Sequence, residues 1–176
     1  MIDLRQDHFA LFGLAPAFHI DLDQLEQAYL TLQGKVHPDR FAHLSDQEKR
    51  QSMQWATHAN GAFRTLRQPL TRAQYLLELR GVDPAFENNT AMAPEFLMEQ
   101  MEWREALGEA REAADASALD DMARRIRERS RALVVQIGDE IDTLGDLPAA
   151  ADTVRRLKFL ERLQDEINDA LASLDS

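Results

Sequence analysis

LDQLEQAYLTLQGKVHPD, residues 22–39, decides the fold of this chain. Leu22, Leu25, Tyr29, Leu32 and Val36 recur at spacings of three and four, which is one stripe of an amphipathic helix. Asp21 stands before the stripe as a cap, with Gln24 three residues on. Pro38 ends the pattern, because proline disfavours helical geometry in the residue before it, here His37. A second helical pattern starts at Ser45, which pairs with Glu48 as a capping box. His37, Pro38 and Asp39 therefore occupy the tip of a helical hairpin. Such a tip displays groups to a partner rather than burying them.

Outward from the hairpin the chain reads as helix throughout. No Val/Ile/Thr-rich alternating run bounded by turns appears, so strands are not expected. Residues 3–12 suit a short first helix. The helix from Ser45 has an inner face of Met53, Ala56, Ala59, Asn60, Phe63 and Leu66. Pro69 stops it, and Leu70 to Arg80 gives one more short helix before Gly81, a C-terminal cap. The stretch GVDPAFENNTAMA, residues 81–93, crowds turn-forming residues and reads as a linker. Pro94 then opens a helix at its first position and carries it to Ala114. A second helix follows Ser117 and stops near Gly145, with Leu119, Met122, Ile126, Leu133, Ile137, Ile141 and Leu144 on its stripe. A third runs from Pro148 to Leu174. The expected division is residues 1–81, a linker at 82–93, and an antiparallel three-helix bundle at 94–176.

Composition narrows the function. The net charge is −11, and residues 81–176 carry 22 Asp/Glu against 11 Lys/Arg, so the whole excess lies in the second module. An acidic surface repels phosphate backbones, which argues against nucleic acid as a partner. The chain has no cysteine. Disulfides, thiolate metal sites, cysteine-ligated clusters and a cysteine nucleophile are thereby excluded. No apolar stretch approaches the roughly 18 residues that span a bilayer. Met1 to Phe12 lacks signal-peptide character. A cytoplasmic protein without membrane contact, metal or cofactor is the simplest expectation.

The helix from Pro94 carries two apolar stripes. At about 100° per residue, Phe96, Trp103, Leu107, Ala110 and Ala114 gather on one side and suit the bundle core. Leu97, Met98 and Met101 gather on another, together with Glu102, Glu105 and Glu109. Carboxylates interleaved with Leu and Met do not suit a dry core, because an unpaired buried charge is very costly. Phe159 in the last helix also lies off its core stripe of Leu157, Leu160 and Leu171. A large aromatic beside an open Leu/Met strip marks a binding face. The alternative is that this strip packs against the first module. Trp55 suits a packing role, and Tyr75, Leu76 and Leu77 suit anchoring the first module to the bundle.

Two opposed helices joined by a loop holding His-Pro-Asp resemble the J-domain of J-type co-chaperones. FALFGL (9–14), HPDRF (37–41), RQPLTRAQYLL (67–77), FLMEQMEWREAL (96–107) and AADTVRRLKFLERL (150–163) are similar to one branch, the HscB family of iron–sulfur cluster assembly. The resemblance covers nearly the full chain in order. It implies a non-enzymatic co-chaperone whose J-domain stimulates a DnaK-type ATPase chaperone, HscA, and whose bundle holds the cluster scaffold protein IscU. It implies chaperone contacts at His37, Pro38, Asp39 and Arg40. It implies scaffold contacts at Leu97, Met98, Met101, Glu102, Glu105, Glu109 and Phe159. Two features depart from the usual J-domain pattern. Only Lys35 answers Asp21, Asp23 and Glu26 before the tripeptide, and Val36 stands where an aromatic residue is common.

Other readings of the same residues remain open at this point. The tripeptide can be a plain helix terminator. His37 with Asp39 can be an acid/base pair, although no nearby nucleophile with an orienting partner accompanies them. His37 with His43 can be metal ligands, without a recognised ligand spacing. A J-type co-chaperone whose bundle recruits a different client is the alternative to the scaffold reading.

Overall fold

The computed structural model describes residues 3–41, 43–84 and 92–176, with Pro38 and Phe41 described in the backbone only. Among these residues every regular element is a helix. The chain divides into two compact units at Leu76/Leu77, inside the fourth helix.

The first unit holds α1 (His8–Leu11), α2 (Leu22–Val36), a short 3-10 turn (Pro38–Phe41), α3 (Asp46–Arg67) and most of α4 (Pro69–Leu79). Each start has a local cause. Asp7 accepts from the Ala10 N–H, Asp21 from the Gln24 N–H, and Ser45 and Glu48 form the reciprocal capping box. The first helix is thus a single turn rather than the whole of 3–12, because Asp7 caps it from inside that range. α2 and α3 pack as the hairpin, and Ala59 and Ala62 of α3 are both buried. Phe9, Phe18, Leu25, Leu66 and Leu76 complete the core. The Tyr29 hydroxyl donates to Asn60 Oδ1 at 2.6 Å while its ring stacks on Phe63 at 4.1 Å. Arg72, buried, donates from Nη1 to the Leu66 carbonyl at 2.8 Å and lies over the Phe18 ring.

Several expected core positions are displaced here. Met53 is 59% exposed, and Ser52, one residue earlier, is fully buried in its place. Leu22 at the start of α2 is also exposed. Tyr75 belongs inside this unit: its hydroxyl accepts from the His8 N–H at 2.9 Å and its ring stacks on His8 at 4.2 Å.

The second unit holds α5 (Pro94–Glu112), α6 (Ala116–Gly138), a π-helical turn (Asp139–Thr143) and α7 (Leu147–Leu174). α6 and α7 form the main pair, and α5 packs on both. Leu119, Ile126, Leu133, Ile137, Val154, Leu157, Leu163 and Ile167 make the core. The π turn explains the failure of one stripe position. The Leu144 N–H donates to the Asp139 carbonyl at 2.9 Å, five residues back. The extra residue in that turn rotates Leu144 to 71% exposure while Ile141 stays buried. Gly145 takes φ +63° to close the turn, and Asp146 caps α7 by accepting from the Ala149 N–H. Ala114 lies beyond α5 at φ +49° and is exposed, so it leaves the core stripe too. Among the described residues no helix is long and apolar enough to cross a membrane.

Candidate partner-binding surfaces

The hairpin tip is tied down from behind. The Ser52 hydroxyl donates to the Val36 carbonyl at 2.6 Å, at the last turn of α2. The His37 N–H closes that turn on Gln33 O at 2.9 Å, and the Arg40 N–H donates to His37 O at 3.0 Å. The Asp39 N–H donates to His37 Nδ1 at 3.3 Å. Asp39 Oδ2 lies 3.4 Å from Nδ1, with the side chains 51% (His37) and 92% (Asp39) exposed. Arg40 is exposed. The tip therefore offers a carboxylate, a guanidinium and an imidazole to solvent. Pro38 contributes its fixed backbone; its ring lies outside the described side chains. Among the described residues no group of His, Asp or Glu is arranged to hold a metal ion.

On α5, Phe96, Leu107 and Ala110 face inward. Leu97, Met98 and Met101 are 37%, 62% and 70% exposed, and Glu102, Glu105 and Glu109 are exposed alongside them. Phe159 of α7 is half-buried. Its ring meets Phe96 edge-on at 5.9 Å and 89°, and the Arg104 guanidinium lies 5.6 Å from its centre. The strip is apolar in the middle and acidic along one side.

Two neighbouring features escaped the sequence reading. Trp103, expected in the core, is only partly buried, with Arg125 of α6 5.0 Å over its ring. It lines a groove of about 710 Å³ with Glu99, Glu102, Arg125 and Arg129. α5 presents its Trp103 side to the arginines of α6 rather than to the apolar core. On the other flank Gln100 and Arg104 of α5 face Arg155, Lys158, Phe159 and Arg162 of α7 across a cleft of about 150 Å³. The signal for this cleft was legible: Arg155, Lys158, Phe159 and Arg162 stand at i, i+3, i+4 and i+7, one face of a helix. Burial pushes the Arg155 pKa down, a sign that this guanidinium is partly withdrawn from water.

A helical hairpin that exposes a His-Pro-Asp tip, joined to an antiparallel helical bundle, is the architecture of a J-type co-chaperone. Residues 92–168 match the family model described as the HSCB C-terminal oligomerisation domain. The "Co-chaperone protein HscB homolog" of Azoarcus sp. strain BH72 is 60% identical over 99% of both chains. Among solved structures, the chaperone HscB of Vibrio cholerae superposes with a TM-score of 0.83 at 36% identity, covering 96% of this chain and 99% of that one. The human co-chaperone protein HscB superposes with a TM-score of 0.88 at 28% identity, covering 95% and 83%. The chain belongs to the HscB family of co-chaperones.

Proposed function

We propose that this co-chaperone stimulates ATP hydrolysis by a DnaK-type chaperone of the HscA kind and delivers to it the iron–sulfur scaffold protein IscU. In this reading the modules are residues 1–81 and 94–176, joined by 82–93, and the protein acts in the cytoplasm without a catalytic centre of its own. His37, Pro38, Asp39 and Arg40 touch the chaperone. Leu97, Met98, Met101, Glu102, Glu105, Glu109 and Phe159 touch the scaffold.

The observation that carries the reading is the exposure of an apolar strip with carboxylates along its edge, in a chain that also displays a tethered His-Pro-Asp tip. The tip makes charge-assisted hydrogen bonds to a basic chaperone surface, and its stiffness limits the entropy lost on docking. Met98 and Met101 adapt to an apolar partner patch, and Phe159 supplies an aromatic anchor. The glutamates speed encounter with a basic patch and select against acidic partners.

Chaperone ATPase rates, measured with the scaffold present, test the first half. His37→Gln is expected to abolish stimulation while leaving scaffold binding intact. Equal stimulation by wild type and variant would overturn the tip mechanism. Pull-down from a cell extract tests the second half. Recovery of a client other than the scaffold, lost in Met101→Ala, would replace the scaffold as cargo.

A further inference from the structure

Trp103 is half-buried in the groove between α5 and α6, with Glu99, Glu102 and Ala106 of its own helix on one bank and Arg125, Glu128 and Arg129 of α6 on the other. The banks belong to surfaces of opposite sign. α5 carries six glutamates between Glu95 and Glu112 against two arginines. α6 packs five arginines and one glutamate into residues 124–131, so nearly half of the 11 cations of residues 81–176 fall in this short stretch. Within one chain the groove charges are loosely used. Arg129 lies 3.9 Å from Glu99, Arg125 sits 5.0 Å over the Trp103 ring, and Glu128 is taken by Arg124 at 3.4 Å. Among the described residues Glu102 and Arg125 have no ion-pair partner, and both are exposed.

A face with acid on one side and base on the other is complementary to itself. Trp103 stands level with Arg125, and Glu99 with Arg129, so α5 and α6 run antiparallel along the groove. Two copies can meet face to face about a two-fold axis in two orientations. An axis across the helices sets α5 on α5 and α6 on α6, and like charges meet along the whole contact. An axis along the helices sets α5 of each copy on α6 of the other, at the same level. Glu99 and Glu102 of one copy then face Arg129 and Arg125 of its partner, twice over, with the two Trp103 grooves at the centre.

We infer that the α5/α6 face is a self-association surface, and that two copies of this chain pair through it about a two-fold axis parallel to those helices. The family description names oligomerisation and no surface for it. Here the charge pattern selects both the surface and the axis. Two helices about 30 Å long, together about 20 Å across, present on the order of 600 Å² per copy. A total of about 1,200 Å² stands at the low end of specific interfaces, and exposed ion pairs add little to it, so the dimer is weak and reversible and forms on the order of 0.1–1 mM. The net charge of −11 on each chain opposes it at long range, which salt at about 0.15 M screens beyond roughly 8 Å. The Leu97–Met101 strip lies on another side of α5, and the pairing needs no scaffold protein.

Sedimentation equilibrium of the full-length chain alone, up to about 1 mM, is the test. Wild type is expected to pass from monomer to dimer across that range. Arg125→Glu with Arg129→Glu makes both banks acidic, and Glu99→Arg with Glu102→Arg makes both basic. Each double variant by itself should stay monomeric where wild type is half dimer. Mixed in equal amounts, the two should form a heterodimer as tight as the wild-type dimer, because every acidic bank then meets a basic one. Lys49→Glu with Arg50→Glu makes the same change in net charge as the first variant, on exposed α3 surface, and should dimerise as wild type. Should a double variant lose helicity by circular dichroism, Arg125→Glu and Glu102→Arg alone make the same mixing test. A wild-type chain that stays monomeric throughout, or a dimer that survives in both groove variants, overturns the surface. A mixture that fails to pair, or a Lys49/Arg50 variant that is also monomeric, overturns the charge pairing on which the proposal stands.

Discussion

The hydroxyl of Ser52 donates to the carbonyl of Val36 at 2.6 Å, in a site closed to solvent, one residue before His37. This bond ties the first turns of α3 to the end of α2, next to the tip. It satisfies a carbonyl at the end of α2, where helices leave their last acceptors unpaired.

Ser52→Ala removes that donor and leaves the Val36 carbonyl buried without its partner. The expected loss is about 1–3 kcal/mol in urea unfolding followed by circular dichroism. Chaperone stimulation should fall as well, since the loop carrying His37 loses its tether. A variant with wild-type stability would show that the bond contributes nothing net.

His8 gives the first unit a pH dependence. Burial lowers its pKa from 6.5, the neighbouring His58 lowers it further, and Asp7 opposes both. Below the unfolded value near 6.5 the unfolded chain binds the proton more readily. The stability present above that pH is therefore lost as pH falls through the lower folded value. Thermal melting of wild type should drop between pH 7.5 and 5.5. His8→Phe, which keeps an aromatic ring against Tyr75, should reduce that drop. Parallel melting curves for the two proteins across that range would contradict the assignment.

In the second unit Glu140 is buried in the π-helical turn, accepting from Gln136 Nε2 at 2.7 Å and from the Thr153 hydroxyl at 3.0 Å. Thr153→Val withdraws one of these donors from a buried carboxylate at constant shape. About 1–3 kcal/mol of stability should be lost. Chemical denaturation reads the change, and a neutral result would mean that water or Gln136 replaces the hydroxyl.

Core and surface positions of the bundle should separate cleanly. Leu163→Ala empties a fully buried site and should cost about 2–5 kcal/mol. Met101→Ala, at 70% exposure, should change stability by no more than about 0.5 kcal/mol. In scaffold binding the order reverses, with Met101→Ala, Leu97→Ala and Phe159→Ala each losing about 1–2 kcal/mol by calorimetry. Comparable melting temperatures for Leu163→Ala and Met101→Ala would sink this contrast.

Much of the architecture was legible because its signals are local. A cap is a contact across three residues, as Asp21 with Gln24 and Ser45 with Glu48 show. The two stripes of α5 were also local: the mixture of Leu, Met and Glu on one side could not fit a dry interior, and those residues are exposed. Met53 and Leu144 were misjudged for opposite reasons. At Met53 one position of the stripe fails, because Ser52, needed for its hydroxyl, takes the buried place, while Ala59 and Leu66 of the same stripe are buried. At Leu144 the helical period itself changes, since a π turn inserts a residue that a 3.6-residue count does not contain. Trp103 falls on the core side of α5 by helical angle, yet Arg125 over its ring supplies the half-wet environment it occupies.

Sequence by itself determined the helices, their caps, the His-Pro-Asp corner and the acidic excess of the second half, because each depends on neighbours a few residues apart. Only the tertiary structure decided which residues meet across helices. Arg104 and Arg162 are 58 positions apart in the chain, yet they wall the same cleft. Ser52 reaches Val36 because the hairpin folds back on itself. Such encounters follow from helix packing, and packing is set by the whole core at once rather than by any one stretch of chain.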